Sequence, residues 1–282
     1  MQESFKMKAL AISYKGLEDI TALELKEILN IDSEVKDSCI IFETTEEKLA
    51  EYCYKAQGVN RVLILLDQFK IKNIEDLERI KNINFEEFLK DKTFAARTNI
   101  IESKFSKQEV ELETGEQIDY KVDLKNPDIT VFIYIYKEDC YVGIDFSGDL
   151  SKRDYKIFTA RDDLKGTMAY ALVRLSNYNK NKVFLNQEAR SGTIAIEAAL
   201  FGSGLSPNFF NKNKFNFNKF LKIDLTKFDK PQNKIKVHAT DSKGYIHLIE
   251  KNAKIADVNI TTTEPESSDC LVKYARNKAE IK

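Results

Sequence analysis

The segment VFLNQEARSGTIAIEAALFG at 183–202 holds the residues best suited to chemistry in this chain. A short apolar strand runs into a loop and then into a helix that opens at Ser191 and Thr193. Junctions of this kind hold ligands in α/β folds, because the free N–H groups of a helix start meet anionic or polar groups and a glycine lets the backbone approach closely. Gly192 supplies that glycine, but Asn186, Gln187, Glu188, Ala189 and Arg190 stand where small residues are expected. Metal chemistry is poorly provided for. Cys39, Cys53, Cys140 and Cys270 are scattered with no CxxC, and His238 and His247 complete the set, so no spacing matches a zinc or iron–sulfur site.

Charge points to a second kind of chemistry. The net charge is −1, yet 151–223 holds thirteen Lys and Arg against five Asp and Glu, leaving 31 against 40 elsewhere. A locally basic segment suits a polyanion or a solvated surface equally well. Within it, NKNKFNFNKFLK at 211–222 interleaves lysines with Phe215, Phe217 and Phe220. That pattern serves phosphate contact with base stacking, or a loop pinned to the core by its aromatics.

The elements that must position these residues follow from hydrophobic period. Residues 8–14, 38–45 and 61–71 read as strands, and 16–29 and 45–58 as amphipathic helices, with Thr45 as an N-cap. This order fits a ferredoxin-like α+β unit. A second unit follows, with a helix over 74–89, a strand over 93–100, a helix over 106–121 and a hairpin over 128–148 that turns at 137–139. The longest apolar run, ITVFIYIY at 129–136, has strand length and falls far short of the roughly 18 to 20 residues that span a bilayer. The sequence MQESFKMKALAIS shows no signal-peptide pattern, so an intracellular, cytoplasmic protein is expected, with no membrane association and no metal.

The stretches SYKGLEDITALELKEI, NRVLILLDQF, FAARTN and VGIDFSGDLSKRDYKIF resemble the N-terminal half of THUMP-containing RNA methyltransferases. The segment 160–217, with its LKGTMAYA and SGTIAIEAA helices, resembles the start of the class I methyltransferase domain in the same family, and IKVHATDSKGYIHLIEKNAKIADV at 235–258 its second βα unit. The resemblance covers roughly 7–260. It implies an α+β N-terminal half, a ferredoxin-like unit over 1–72 and a THUMP domain over 73–150, then a basic linker and helix over 151–180. A partial, Rossmann-like α/β methyltransferase domain over 181–282 completes the expected arrangement.

The resemblance also assigns ligands. The cofactor would be S-adenosylmethionine, held by Ser191, Gly192, Thr193 and by Asp241, whose carboxylate would accept from the ribose hydroxyls. Taken alone, Asp241 reads more simply as a helix N-cap. The partner would be RNA, tRNA in particular, with Lys152, Arg153, Lys156, Arg161 and Lys165 as phosphate contacts just after the THUMP unit.

Departures from the family pattern set the expected function. Where the family has D-P-(apolar)-C/A-G-S-G-T, this chain has N-Q-E-A-R-S-G-T at 186–193. Arg190 gives up the positive φ and the space of a glycine, which suggests an eroded loop. No N-P-P-Y motif follows, and TEPESSD at 263–269 lacks a stacking aromatic. The expected function is therefore an RNA-binding THUMP protein with a vestigial, truncated methyltransferase domain, acting as a binding module or accessory subunit. The alternative is a guanine-N2-type tRNA or rRNA methyltransferase completed by a partner chain, and a third reading is a decaying gene product. A chain ending near the third methyltransferase strand would also leave strand 183–185 unpaired along one side. A partner protein or self-association is expected to cover it, in preference to the chain's own 269–282 segment.

Overall fold

The computed structural model describes residues 6–275 and 278–281. Two sheets organise the chain. The first has seven strands, built from β1 (Met7–Ile12), β2 (Glu34–Lys36), β3 (Cys39–Thr44), β4 (Arg61–Lys70), β5 (Phe94–Ile101), β6 (Ile129–Tyr136) and β7 (Asp139–Asp145), in the order β2-β3-β1-β4-β7-β6-β5. All its pairs are antiparallel except β5 with β6. The β6–β7 hairpin turns at Lys137, where φ is 55°. This sheet runs unbroken past residue 72, so the ferredoxin-like unit and the THUMP unit share one hydrogen-bonded layer.

Strand alternation divides the side chains between two faces. One face packs Ala9, Ala11, Ile40, Val62, Ile64, Val131, Ile133 and Val142 against α1 (Glu18–Leu29), α2 (Glu46–Lys55) and α4 (Lys107–Glu116). The other gathers Leu10, Ile12, Phe132, Tyr134 and Tyr136 into a separate cluster. Thr45 caps α2 by accepting from Lys48 N–H, and Ser106 with Glu109 forms a capping box at α4. The single helix expected over 74–89 is interrupted. A 3₁₀ segment, Ile74–Asn82, is followed by the short α3 (Glu86–Leu89), because the Asn84 side chain accepts from Glu86 N–H at 2.9 Å and restarts the helix locally.

The second sheet has the order β11-β10-β8-β9, from β8 (Val183–Gln187), β9 (Lys236–Thr240), β10 (Cys270–Ala275) and β11 (Lys278–Ile281). β8 is parallel to β9 and β10, while β11 runs antiparallel to β10. A single parallel bridge from His238 to Thr261 extends the layer beyond β9. Packed with this sheet are α5 (Gly166–Leu175), α6 (Thr193–Ser203) and α7 (Lys243–Ala256), whose core includes Phe184, Ile196, Val237, Ile249 and Val272. The expectation of an uncovered strand at 183–185 is thus corrected. β10 pairs with it in register from Cys270 opposite Phe184 to Lys273 opposite Gln187.

The two halves are joined by a strap and a polar clasp. Residues 206–229 leave the second sheet and lie on the first half. Phe217 stacks at 4.7 Å from Phe146 and 5.1 Å from Phe215, its N–H donates to Phe146 C=O at 2.9 Å, and Asn208 Nδ2 donates to Tyr54 C=O at 2.9 Å. The aromatics of 211–222 therefore pin a loop rather than await bases. The clasp centres on Glu197 of α6, fully buried, which accepts from Arg153 Nε at 2.7 Å, Gln57 Nε2 at 2.7 Å and the Tyr155 hydroxyl at 2.7 Å.

Candidate functional site

The loop after β8 and the turn after β9 meet at the C-terminal ends of parallel strands, the usual position for ligands in such sheets. Glu188, Arg190 and Gly192 all have positive φ, at 51°, 57° and 84°. Left-handed backbone costs a side-chain-bearing residue about 1–2 kcal/mol, so neighbouring contacts must hold it. They are present. Arg190 N–H donates to Asp241 Oδ2 at 2.8 Å, its guanidinium lies 5.4 Å from the Tyr245 ring centroid, and Glu188 Oε1 lies 2.9 Å from Lys273 Nζ. Arg190 keeps the positive φ of a glycine, which corrects that part of the expected erosion. Gly192 answers to packing, because a Cβ there would meet Ile249 Cγ2 at 3.0 Å.

Of the residues expected at the cofactor, Ser191 and Thr193 are buried and 3.1 Å apart through their hydroxyls. Asp241 closes β9 and takes one backbone N–H on each oxygen, from Arg190 and, at 2.6 Å, from Ser242, with lone pairs remaining on both. Asn186 was not expected to contribute. It is fully buried, its Nδ2 donates to Val272 C=O at 3.1 Å, and its Oδ1 has no hydrogen-bond partner. A buried acceptor left without a donor costs about 1–3 kcal/mol, which a cationic ligand group would relieve. The orphaned Asn186 Oδ1 and the free lone pairs of Asp241 are acceptors of the kind that S-adenosylmethionine, with its ammonium and ribose hydroxyls, would need. Among the described residues no group of three or more His, Cys, Asp and Glu could hold a metal. No helix among them is long and apolar enough to cross a membrane.

The five residues read as phosphate contacts separate in the structure. Arg153 is buried at 1% side-chain exposure in its ion pair with Glu197, and it also donates to Gln57 and Leu150 carbonyls at 2.6 Å. Lys156 is half-buried, donates to Leu164 C=O and lies 3.9 Å from Asp163, and burial lowers its pKa. Neither faces a polyanion. Lys152, Arg161 and Lys165 are exposed. Lys165 alone of these lines a cavity of ≈ 650 Å³ over the second face of the seven-stranded sheet, together with Lys15, Arg61, Arg97 and Lys107 and the carboxylates Asp145 and Asp149, with Arg61 ion-paired to Asp145 and Lys15 to Glu102. Aromatic rings lie beneath three of its cations, with Lys15 Nζ 5.6 Å from Tyr136, Arg61 Cζ 4.5 Å from Phe132 and Lys165 Nζ 5.7 Å from Tyr14. Lys15, Arg61, Arg97 and Lys107 lie outside the basic 151–223 segment, and no local pattern marks them.

Comparison with known proteins bears on the fold and the family. Residues 153–270 match the RMKL-like methyltransferase domain and residues 72–145 the THUMP domain. The chain is 31% identical over 263 residues to the tRNA (guanine(6)-N2)-methyltransferase of Methanocaldococcus jannaschii, covering 86% of this chain and 68% of that relative. It is 23% identical over 277 residues to the tRNA (guanine(6)-N2)-methyltransferase of Archaeoglobus fulgidus, covering 91% and 69%. Two solved structures share the fold. One is a predicted N6-adenine-specific DNA methylase from Listeria monocytogenes, with TM-score 0.78, 23% identity and 93% and 75% of the two chains covered. The other is SMU.472, a putative methyltransferase complexed with SAH, with TM-score 0.76, 22% identity and 92% and 75% covered.

These likenesses overturn the expectation of a vestigial, truncated pseudoenzyme. The relatives are methyltransferases, and the parallel strands, α6 and α7 form most of a methyltransferase fold with β10 in place. The chain belongs to the RNA methyltransferase family that joins a THUMP domain to an RMKL-like methyltransferase domain, with tRNA guanine-N2-methyltransferases among its relatives.

Proposed function

We propose that this chain works as an S-adenosylmethionine-dependent RNA methyltransferase that modifies the exocyclic amine of a guanine in tRNA, in the cytoplasm. One observation supports this most directly. The Asp241 carboxylate ties the β9 turn to the left-handed loop of β8, the strand that also carries the unpartnered Asn186 Oδ1. When bound, S-adenosylmethionine supplies an electrophilic methyl group on a sulfonium. Asp241 would orient the ribose through its remaining lone pairs, and Asn186 Oδ1 would accept from the ammonium. Ser191 and Thr193 shape the helix start, and Gly192 keeps it close to α7. The RNA backbone follows the cations that line the large cavity, with Lys152 and Arg161 as outer contacts.

Calorimetry with S-adenosylhomocysteine tests the first half of this reading. Binding is expected, and Asp241→Asn should weaken it roughly 10- to 150-fold, as expected for loss of a charged hydrogen-bond acceptor worth about 1.5–3 kcal/mol. The second half is tested by transfer of labelled methyl to a tRNA transcript, followed by nuclease digestion and identification of N2-methylguanosine. Absence of both binding and transfer would remove the proposal.

A further inference from the structure

Among the described residues, Arg190 is the arginine whose guanidinium has neither a hydrogen bond nor an ion pair. Arg61, Arg79, Arg153, Arg161 and Arg174 each face a carboxylate, and Arg97 faces two carbonyls. Arg190 also stands where a side chain is costly, because its φ of 57° lies in the left-handed region that a glycine occupies without strain. Strain of this kind persists only where the surroundings over-determine it. Here α7 supplies them. Tyr245 lies under the guanidinium at 5.4 Å, Ile249 packs against Gly192, and the buried Asn252 donates to Ser191 C=O at 3.0 Å. These three residues stand at i, i+4 and i+7, one stripe of the helix. The stripe fixes the loop, and its Tyr245 end carries a charge that nothing in the chain answers.

The ligand follows from the free donors and the surrounding charges. Tyr245 is a platform that uses none of the five guanidinium N–H groups, so a half-buried planar fork remains for an anion. Asp241 takes the Arg190 backbone N–H and does not pair with its guanidinium. The other carboxylates of this region are engaged, Glu188 with Lys273 at 2.9 Å, Glu264 with Gln187 Nε2 at 3.1 Å and Glu250 with the Thr262 hydroxyl at 3.5 Å. On α7, Lys243 and Lys251 are exposed without an ion-pair partner among the described residues, and Lys251 Nζ lies 4.8 Å from the Phe158 ring. A cation on an aromatic ring near each end of the stripe suits a phosphate backbone with its bases. The cofactor's carboxylate is the other anion at hand. It shares a carbon with the ammonium, whose acceptor, Asn186, turns toward β10 through Val272 rather than toward α7. We infer that Arg190, backed by Tyr245, holds a phosphate of the RNA beside the cofactor loop, a contact outside the large basic cavity. The fork of an arginine meets phosphate oxygens two at a time, which fixes the strand as well as attracting it. The inference rests on the RNA-methylating reading above.

Salt-dependent fluorescence anisotropy of the full chain with a tRNA transcript tests it. Arg190→Gly gives the loop the residue that its φ favours, so the melting temperature should not fall. Loss of one phosphate contact should lower the slope of log affinity against log salt by about 0.9. From about 50 to 200 mM salt the wild type should then lose about 3.5-fold more affinity than the variant. Arg190→Lys retains the charge and should retain the slope, a rescue that a purely structural role would not produce. Tyr245→Leu leaves a good helix former and every charge, and it should weaken RNA binding about two- to fivefold at an unchanged slope, the scale of an exposed cation–π contact. Calorimetry with S-adenosylhomocysteine should give Arg190→Gly the wild-type affinity. An unchanged salt slope in Arg190→Gly would overturn the inference while leaving RNA binding intact. Weakened S-adenosylhomocysteine binding at an unchanged slope would also overturn it and assign the guanidinium to the cofactor's carboxylate. A wild-type chain that binds no tRNA would remove the RNA reading together with the inference.

Discussion

Replacing Arg153 by methionine separates a structural role from an RNA contact. Arg153 makes four hydrogen bonds, to Glu197 Oε1 at 2.7 Å and Oε2 at 3.2 Å, Leu150 C=O at 2.6 Å and Gln57 C=O at 2.6 Å. Both partners of the ion pair are at most 1% exposed. Methionine fills much of the volume but leaves Glu197 as a buried charge with only the Tyr155 hydroxyl and Gln57 amide as donors, together with two buried carbonyls without their donor. Removing one member of a buried pair costs about 3–5 kcal/mol, so a loss near 4 kcal/mol is expected in urea unfolding. Changing both residues, Arg153→Met with Glu197→Leu, removes the stranded charge. It should recover at least about 2 kcal/mol relative to the sum of the single changes, since residues in direct contact couple on that scale. RNA affinity measured under folded conditions should stay within about twofold, because no exposed cation is lost. A single variant that loses less than about 1 kcal/mol, or additive single and double variants, would refute the buried clasp. Undiminished stability with lost RNA affinity would return Arg153 to the phosphate contacts.

Burial pushes the Glu24 carboxyl up to about 7, despite N–H donation from Gln57 and Gly58. A folded-state value above the unfolded one means that this group's stabilisation is full below pH ~4.5 and is lost as pH rises through ~7, at up to about 1.4 kcal/mol per unit. Glu24→Gln should flatten that part of the stability profile between pH ~4.5 and ~7, and an unchanged slope in urea titrations would count against it. Gly166→Ala should destabilise by about 1–3 kcal/mol, because its Cβ would meet Arg153 Cγ at 2.5 Å and Glu197 Oε1 at 2.9 Å; thermal melts read the shift. Phe217→Ala should cost about 3–5 kcal/mol and expose 206–229 to limited proteolysis, whereas wild-type protection of that segment would show that the stack does not hold the strap.

Local order was legible in the sequence wherever neighbouring residues decide it. The alternation of ITVFIYIY with the turn at 137–139 specifies the β6–β7 hairpin, and Thr45 marks the start of α2, because period, turn chemistry and caps act over a few residues. The strand, loop and helix at 183–203 and the carboxylate at Asp241 were readable for the same reason. Tertiary structure alone decided the rest. CLVKYA at 270–275 contains no local signal that it pairs with β8, since register depends on residues 86 positions away, as Asn186 Nδ2 to Val272 C=O shows. A count of basic residues could not tell Arg153 from Lys165. A charge becomes structural only when a partner such as Glu197, 44 residues on, is folded against it. Arg97 and Lys107 reach the cavity beside Lys165 only through folding, because the cations that a polyanion meets are assembled by strand order rather than by sequence.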